Sequence, residues 1–570
     1  MDWLWGTIRT WLIEPGTATV KTSLSSLERL SDDLLLDIME LVAIPRANFR
    51  RSDLLALMCC NRHMYILGGP ILYRNFIEGN ITCLPRFIRT IIWRPFLAEY
   101  VHNVNFRETE QFKSWESILS KRPTRVAPWE PHWVTPVLPL PITKSNRRKW
   151  EGELAIDNKR VLSRTDKARI EFLIKSHIIL DNTDSDKIEQ SKLKALPTMI
   201  HDIFGILRRK ENGDQGDFAE GLKTGKWRFM AGFILSLLPN IEKLHIIIAQ
   251  NVDQPADGLA YVFLRAAKFR YRSTTSPSPN PLSRLKDLTI SYANRFMCLG
   301  IWALFPYLAH HTLQSFTGDG IGGYVDRIEG RDSGRDEYWS LLPPELRLKS
   351  LRLERSNINT KYLRKLLQLC PVLEILKYEH YQSAQGEDIF EPEKFGLSIE
   401  HLKPCLLELV LYRPFPELQI IACCAEEVAP ISLSAFEKLT RLSITANLLL
   451  GALKGPEGQT FYLKTYQWRP PPPGQNLTQC LPKSLEYLCL RECGEDIDED
   501  ISELVEQATI VTPNLKTLVL SNSKFECGLY HADFKRELAT ERLFRMNRSA
   551  AKRFEEDCIA KGIKLDVLYI

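Results

Sequence analysis

The stretch Thr512-Pro513-Asn514-Leu515-Lys516-Thr517-Leu518-Val519-Leu520 decides the fold. Leu515, Leu518 and Leu520 form an apolar-x-x-apolar-x-apolar unit. The last two share one face of an extended strand, where side chains alternate with a period of two. Working outward, the same unit recurs at Val101/Val104/Phe106, Ile241/Leu244/Ile246, Leu285/Leu288/Ile290 and Leu348/Leu351/Leu353. It continues at Leu373/Leu376/Tyr378, Leu406/Leu409/Leu411, Leu439/Leu442/Ile444 and Leu485/Leu488/Leu490, with Leu313/Phe316 as a weaker member. Several units are entered alike, as in Leu238-Pro239-Asn240, Cys370-Pro371 and Leu481-Pro482.

One such strand cannot bury its apolar face by itself. Stacking neighbours into a parallel sheet, with a helix returning from each strand, builds a continuous core. Trp227–Leu238 and Lys361–Leu369 have the composition of returning helices. The pattern resembles the leucine-rich repeat, whose consensus adds Asn or Cys three residues after the last apolar position. Asn447 and Cys493 fit; Ala249, Ala293, Ser356, Tyr381, Pro414 and Ser523 do not. Steps are unequal, short from Leu351 to Leu376 and long from Leu442 to Leu488. The resemblance therefore implies an α/β, irregular leucine-rich-repeat solenoid of parallel strands with returning helices. An ordinary α/β domain with unrelated strands is the alternative.

Loops interrupt the array. Residues 107–225 form an irregular insertion with a Pro- and Trp-rich stretch at Val126–Ile142, a basic cluster (Lys144, Arg147, Arg148, Lys149) and a polar run at Asp181–Lys194. Residues 270–283 read as a surface loop, and Pro470–Pro473 as a polyproline II tract. Near the end, Phe534–Lys561 has helical composition, and Gly562 leads into a closing strand at Ile563–Leu568.

Ahead of the array the pattern changes to helical spacing. Leu30, Leu34, Ile38, Leu41 and Val42 form one stripe, widened by Leu35 and Met39. Ser31 is an N-cap candidate, Asp32 and Asp33 suit the first turn, and Pro45 helps to end the helix. A second helix starts at Ser52-Asp53 and runs through Leu54, Leu57 and Cys60 to Met64. Gly68-Gly69-Pro70 predicts a break before Ile71-Leu72-Tyr73-Arg74.

Leu30-x-x-x-Leu34-Leu35-x-x-Ile38, then Asp-Leu-Leu-Ala-Leu with Cys60 and Arg62, then Pro70-Ile71-Leu72-Tyr73, resembles the F-box. Residues 83–101 are similar to the junction that follows the F-box in fungal F-box proteins. The family commonly has proline where Ser31 stands, and the loop Ala43–Arg51 is longer and more basic than usual. The resemblance implies docking on a Skp-type adaptor, and through it a cullin, by Leu30, Leu34, Leu35, Ile38, Leu54, Leu57, Cys60 and Leu72. The expected organisation is an apolar, Trp-rich segment at 1–26, the F-box at 27–78, a linker helix and first strand at 79–106, the insertion at 107–225, and repeats over 226–570.

Composition narrows the classes. Hydrophobic residues at 44% and charged residues at 25% are ordinary for a folded chain. The net charge of +5, from 75 basic and 70 acidic residues, is too balanced to predict nucleic acid as the main partner. The 13 cysteines are scattered without CxxC pairs, which predicts free core thiols and no metal site. Met1–Ile13 has helical amphipathicity but is shorter than the ~20 residues that span a bilayer. No transmembrane segment is expected, and the sequons at Asn80, Asn476 and Asn547 carry no weight without a leader. The expected location is cytoplasm, nucleus or both.

Catalytic motifs do not assemble. Gly318-Asp319-Gly320-Ile321-Gly322-Gly323 matches GxGxxG literally, but a dinucleotide site needs a helix next, and the sequence that follows is polar and glycine-broken. A loop is expected there. The acidic run Glu495–Asp500 lacks EF-hand spacing and suits a helix start before Ile501. His310-His311 is the one adjacent pair among the 11 histidines. The expectation is therefore a non-catalytic, cofactor-free substrate receptor of an SCF-type (Skp–cullin–F-box) ubiquitin ligase, with repeats holding an unknown protein target. A leucine-rich scaffold with no ubiquitin role is the alternative, and an enzyme on a solenoid-like α/β fold a more distant one.

Overall fold

A computed structural model describes residues 30–43, 51–60, 62–78, 83–108, 227–249, 282–293, 298–322, 339–381, 392–412, 431–450, 476–491, 498–522 and 548–569, with parts of 259–266 and Cys493. The Trp-rich start, the cluster at 144–149, Asp181–Lys194, the Pro470–Pro473 tract and nearly all of the 107–225 insertion lie outside those residues. The chain divides into two compact units, residues 1–75 and 76–570.

The first unit contains three helices, α1 (Asp32–Ala43), α2 (Arg51–Met58) and α3 (Arg62–Arg74). Ser31 caps α1: its Oγ accepts the Leu34 amide at 3.4 Å, and its carbonyl accepts the Leu35 amide at 3.0 Å. Leu35, Met39, Leu54, Met58 and Met64 make the core, with Leu30, Leu57 and Leu72 among the partly buried residues packed on it. The break expected at Gly68-Gly69-Pro70 does not occur. Helix α3 runs through all three residues, and the chain turns instead at Cys59-Cys60. The reason is tertiary. A Cβ at Gly68 would stand 2.5 Å from Met58 Cγ, so glycine is there to let helices approach, not to end one.

The second unit is mixed α/β and is built on a 12-stranded sheet that adds strands in chain order, with no closed barrel. It begins with β1 (Asn75–Ile77), helix α4 (Cys83–Trp93), a 3-10 turn at Pro95–Tyr100 and β2 (Asn103–Arg107). Strand β1 was not foreseen, and Phe76 falls in this unit, although the sequence reading closes the first at 78. Helix α5 (Trp227–Leu237) then precedes β3 (Lys243–Ile248) and β4 (Asp287–Tyr292). A separate two-stranded sheet pairs β5 (Leu299–Gly300) with β7 (Ile321–Gly322). The main sheet continues with β6 (Ser315–Asp319), β8 (Ser350–Ser356), β9 (Ile375–His380), β10 (Glu408–Tyr412), β11 (Arg441–Thr445), β12 (Tyr487–Arg491), β13 (Thr517–Asn522) and β14 (Lys564–Tyr569). Helices α6 (Thr360–Gln368), α7 (Pro392–Ile399), α8 (Asp498–Glu506) and α9 (Arg548–Ala560) lead into β9, β10, β13 and β14.

Pairing from β2 onward is parallel, and the middle apolar position of every unit falls in one row. Val104, Leu244, Leu288, Phe316, Leu351, Leu376, Leu409, Leu442, Leu488, Leu518 and Leu565 are partners in succession. From Val104 to Leu518 none is more than 3% exposed. Burying each such side chain stabilises the fold by about 1.5–3 kcal/mol. Phe316, the weaker member by sequence, is a full member of this row. The long step from Leu442 to Leu488 leaves the pair adjacent in the sheet.

The entries are tied as regularly as the strands. Glu242, Lys286, Gln314, Lys349, Glu374, Leu407, Thr440, Glu486 and Lys516 each donate a backbone N–H to the same position one strand back, beginning at the His102 carbonyl, at 2.8–3.0 Å. Lys564, one residue further into its unit, donates to the Lys516 carbonyl at 2.8 Å. The recurring Pro-Asn entry also has a use: Asn240 Nδ2 donates to the Glu99 carbonyl at 2.8 Å, and Asn514 Nδ2 to the Lys483 carbonyl at 3.2 Å. Gly562 closes α9 in the left-handed conformation (φ 73°), while Ile563 N–H reaches back to the Cys558 carbonyl at 2.8 Å.

Of the loop expected at Gly318–Gly323, residues 318–322 are instead strand, turn and strand. Gly318 stands in β6, in the second apolar row between Ile290 and Leu353, Gly320 turns with φ 73°, and Ile321-Gly322 form β7. Phe316 and Ile321 fill the space that a side chain at 318 would need.

Candidate docking surfaces

The proposed adaptor-docking residues fall into three groups. Leu35 and Leu54 are 2% and 1% exposed and belong to the first unit's own core. They support the surface and do not present themselves on it. Leu30, Ile38, Leu57 and Leu72 are half-buried. Leu34 is 52% exposed, and Leu41, which was in the predicted stripe, is 57% exposed. Cys60 is exposed, with its thiol donating to the Ala56 carbonyl at 3.4 Å. Leu34, Ile38 and Leu41, at i, i+4 and i+7, form an outward apolar stripe on α1, opposite the inward pair Leu35 and Met39. Ile66 on α3, 59% exposed, was not singled out from sequence. Beside the stripe His63 Nε2 lies 2.8 Å from Asp32 Oδ1, and Arg74 Nη1 lies 3.4 Å from Glu40 Oε1.

In the second unit the sheet face opposite the apolar rows carries polar and aromatic residues. Two rows alternate with the core rows: Lys243, Asp287, Ser315, Ser350, Ile375, Glu408, Arg441, Tyr487 in one, and His245, Thr289, Thr317, Arg352, Lys377, Val410, Ser443, Cys489 in the other. Most lysines there have carboxylates at hand. Lys377 lies 2.8 Å from Glu408, Lys243 3.6 Å from Asp287 and Lys564 2.8 Å from Asp566.

Toward the strand ends Arg355 adopts φ 44°, an uncommon state for a side-chain-bearing residue, where the β8 register slips between Leu353 and Ser356. Its guanidinium grips Asp319 through Nε and Nη2, both at 2.6 Å, and this hydrogen bonding raises its pKa against the opposing effect of burial. His245 stands near this pair and bonds Ser291 Oγ at 3.2 Å; burial lowers its pKa, with Asp319 opposing. Asp319 in the GxGxxG match is therefore committed to an internal ion pair, which does not suit a phosphate cradle.

A second cluster spans β10 to β12. The Arg441 guanidinium lies 4.8 Å from the Tyr487 ring centroid, and the Arg491 guanidinium 4.9 Å from that of Tyr412. Arg491 Nε donates to Ser443 Oγ at 3.1 Å. Burial raises the Tyr487 phenol pKa; Cys489 adds to the shift, and Arg441 and Arg491 oppose it. Sequence reading missed this cluster, yet a signal was present. Arg441 and Tyr487 each precede the middle apolar residue of consecutive units, and the register makes them neighbours.

Among the described residues no group of three or more His, Cys, Asp or Glu side chains is arranged to hold a metal ion. None of the described helices is long and apolar enough to cross a membrane. No family model matches the chain, and no curated protein matches it.

Proposed function

We propose that this chain is the substrate-recognition subunit of an SCF-type ubiquitin ligase: an F-box at the N-terminus docks on a Skp-type adaptor, and a leucine-rich-repeat solenoid binds a protein target. The observation that carries the reading is the outward stripe Leu34, Ile38 and Leu41 on a three-helix unit whose core already has Leu35, Met39, Leu54, Met58 and Met64. A unit this small gains nothing for its own stability from leucines left in water, whereas a helical partner burying them gains affinity. The strands following in chain order, all in one register, favour an extended surface for a target. Catalysis in such an assembly is proximity: the chain holds the target near a recruited ubiquitin-conjugating enzyme and supplies no nucleophile.

The test is co-purification of the full chain with the adaptor, wild type against Leu34→Asp/Leu41→Asp and Ile38→Asp/Leu57→Asp. Capture by wild type and loss in the first variant supports the reading. Undiminished capture by both variants sinks the interface, and no capture by the folded wild type favours a scaffold without a ubiquitin role.

A further inference from the structure

We propose that the Arg441–Tyr487 and Arg491–Tyr412 stacks form the target-contact patch of the sheet, and that its occupant is an acidic peptide segment recognised through side-chain carboxylates. This rests on the reading of the repeats as the target-binding part.

Lys243, Lys377, Lys564 and Arg355 on the same sheet each have a carboxylate within 4.0 Å. Among the described residues Arg441, Arg491 and Arg352 have no carboxylate within 4.0 Å, and Glu408, the cross-strand partner of Arg441, is engaged by Lys377. Of the three, Arg441 and Arg491 are the ones stacked on tyrosines. Arg441 is exposed and Arg491 half-buried; with its Nε given to Ser443 Oγ, Arg491 has its Nη1 and Nη2 edge left for a ligand.

An arginine free in solvent loses much side-chain entropy on binding; one already stacked on a tyrosine loses less. Here both are stacked, and Arg491 is fixed further by Ser443. Stacking covers a guanidinium face and leaves its edge donors, which match the two oxygens of a carboxylate. Tyr412 and Tyr487 add apolar area beside each charge, which suits a segment that mixes Asp or Glu with apolar residues. The two guanidinia lean toward different strands, so two anionic side chains of one extended segment fit better than a single ion.

The experiment is fluorescence anisotropy of labelled oligoglutamate with the full chain, set against oligoglutamine, a phosphoserine peptide and an oligouridylate. Saturable, salt-sensitive oligoglutamate binding is expected, about tenfold weaker or worse in Arg441→Gln/Arg491→Gln. Lys243→Gln/Lys564→Gln, which removes two charges from the same sheet, should bind like wild type. Equal loss in both variants, no loss in the first, or preference for the phosphopeptide or the RNA overturns the assignment. Adaptor capture is measured on the same Arg441→Gln/Arg491→Gln protein. Capture without oligoglutamate binding by wild type sinks the patch and leaves the receptor reading; oligoglutamate binding without capture does the reverse.

Discussion

Arg228 holds Glu108 through two nitrogens, Nε to Oε1 at 2.9 Å and Nη2 to Oε2 at 3.1 Å, with the carboxylate 7% exposed. Glu108 Oε2 also accepts the Ala249 amide at 3.0 Å, at the end of β3. Glu78 repeats the device one strand earlier, accepting the Arg107 amide at 2.9 Å and the Trp227 indole N–H at 3.0 Å. Two buried glutamates thus close the strand ends where the sheet begins.

Replacing Glu108 with Ala leaves the half-buried Arg228 guanidinium without this carboxylate and the Ala249 amide unsatisfied. The expected loss is about 3–5 kcal/mol of stability. Urea unfolding of the full chain measures it, and a change within about 0.5 kcal/mol, the range of ordinary surface substitutions, would contradict this account.

Gly318→Ala places a methyl 2.8 Å from Ile321 Cγ1, 3.1 Å from Phe316 Cε1 and 3.2 Å from Leu353 Cδ2. Overpacking of this kind costs about 1–3 kcal/mol. In the double variant with Ile321→Ala the two losses should sum to less than their separate values, since one substitution makes room for the other. Thermal melts of the four proteins test the coupling.

His310 is buried with its pKa lowered to about 3, first by burial and then by His311. Its Nδ1 lies 2.9 Å from Thr312 Oγ1, which itself donates to the Leu285 carbonyl at 2.6 Å, so Nδ1 carries the proton and Nε2 is the bare lone pair. Below the ordinary value of 6.5 the unfolded chain takes up a proton that the folded one refuses. Stability from this residue is therefore full above pH 6.5 and declines as pH falls toward about 3. Melting temperature measured across that window should fall less steeply in His310→Gln.

The α1 helix offers a paired test. Leu34→Asp and Leu41→Asp should alter stability by less than about 0.5 kcal/mol. Met39→Ala, at a residue 0% exposed, should cost about 2–5 kcal/mol. Denaturation of each variant separates surface from core at positions two and five residues apart.

Burial raises the thiol pKa of Cys370, Cys480 and Cys558 to about 12. Almost no thiolate exists at these positions near neutral pH, and the thiolate is the reacting form. Mass mapping after brief iodoacetamide treatment should find Cys59 and Cys60 alkylated and these three intact, until denaturant is added.

What the sequence made legible follows from chemistry that repeats. The Leu-x-x-Leu-x-Leu rows emerged in full because each strand buries the same two positions, and the Pro-Asn entries marked strand starts. Gly68-Gly69-Pro70 misled because local propensity points to a break, while packing against Met58 overrides it. Leu35 and Leu54 could not be told from Leu34 by hydrophobicity; which leucine faces inward depends on where α2 and α3 lie. Strand β1 is short, with Phe76 as its single buried apolar residue, too little to show a period of two. The arginine–tyrosine stacks required register, a relation between units that no single unit displays.

The one-register ladder also sets a scale. Neighbouring strands lie about 4.8 Å apart, whereas residues of an extended chain advance about 3.4 Å. A peptide laid straight across the strands drifts out of phase with them, comes near to step after about two strands or three residues, and coincides after about five strands or seven residues. Like the two scales of a vernier, strand and ligand coincide at intervals. Recognition across this sheet is thereby confined to separated points, with the intervening ligand residues free to vary.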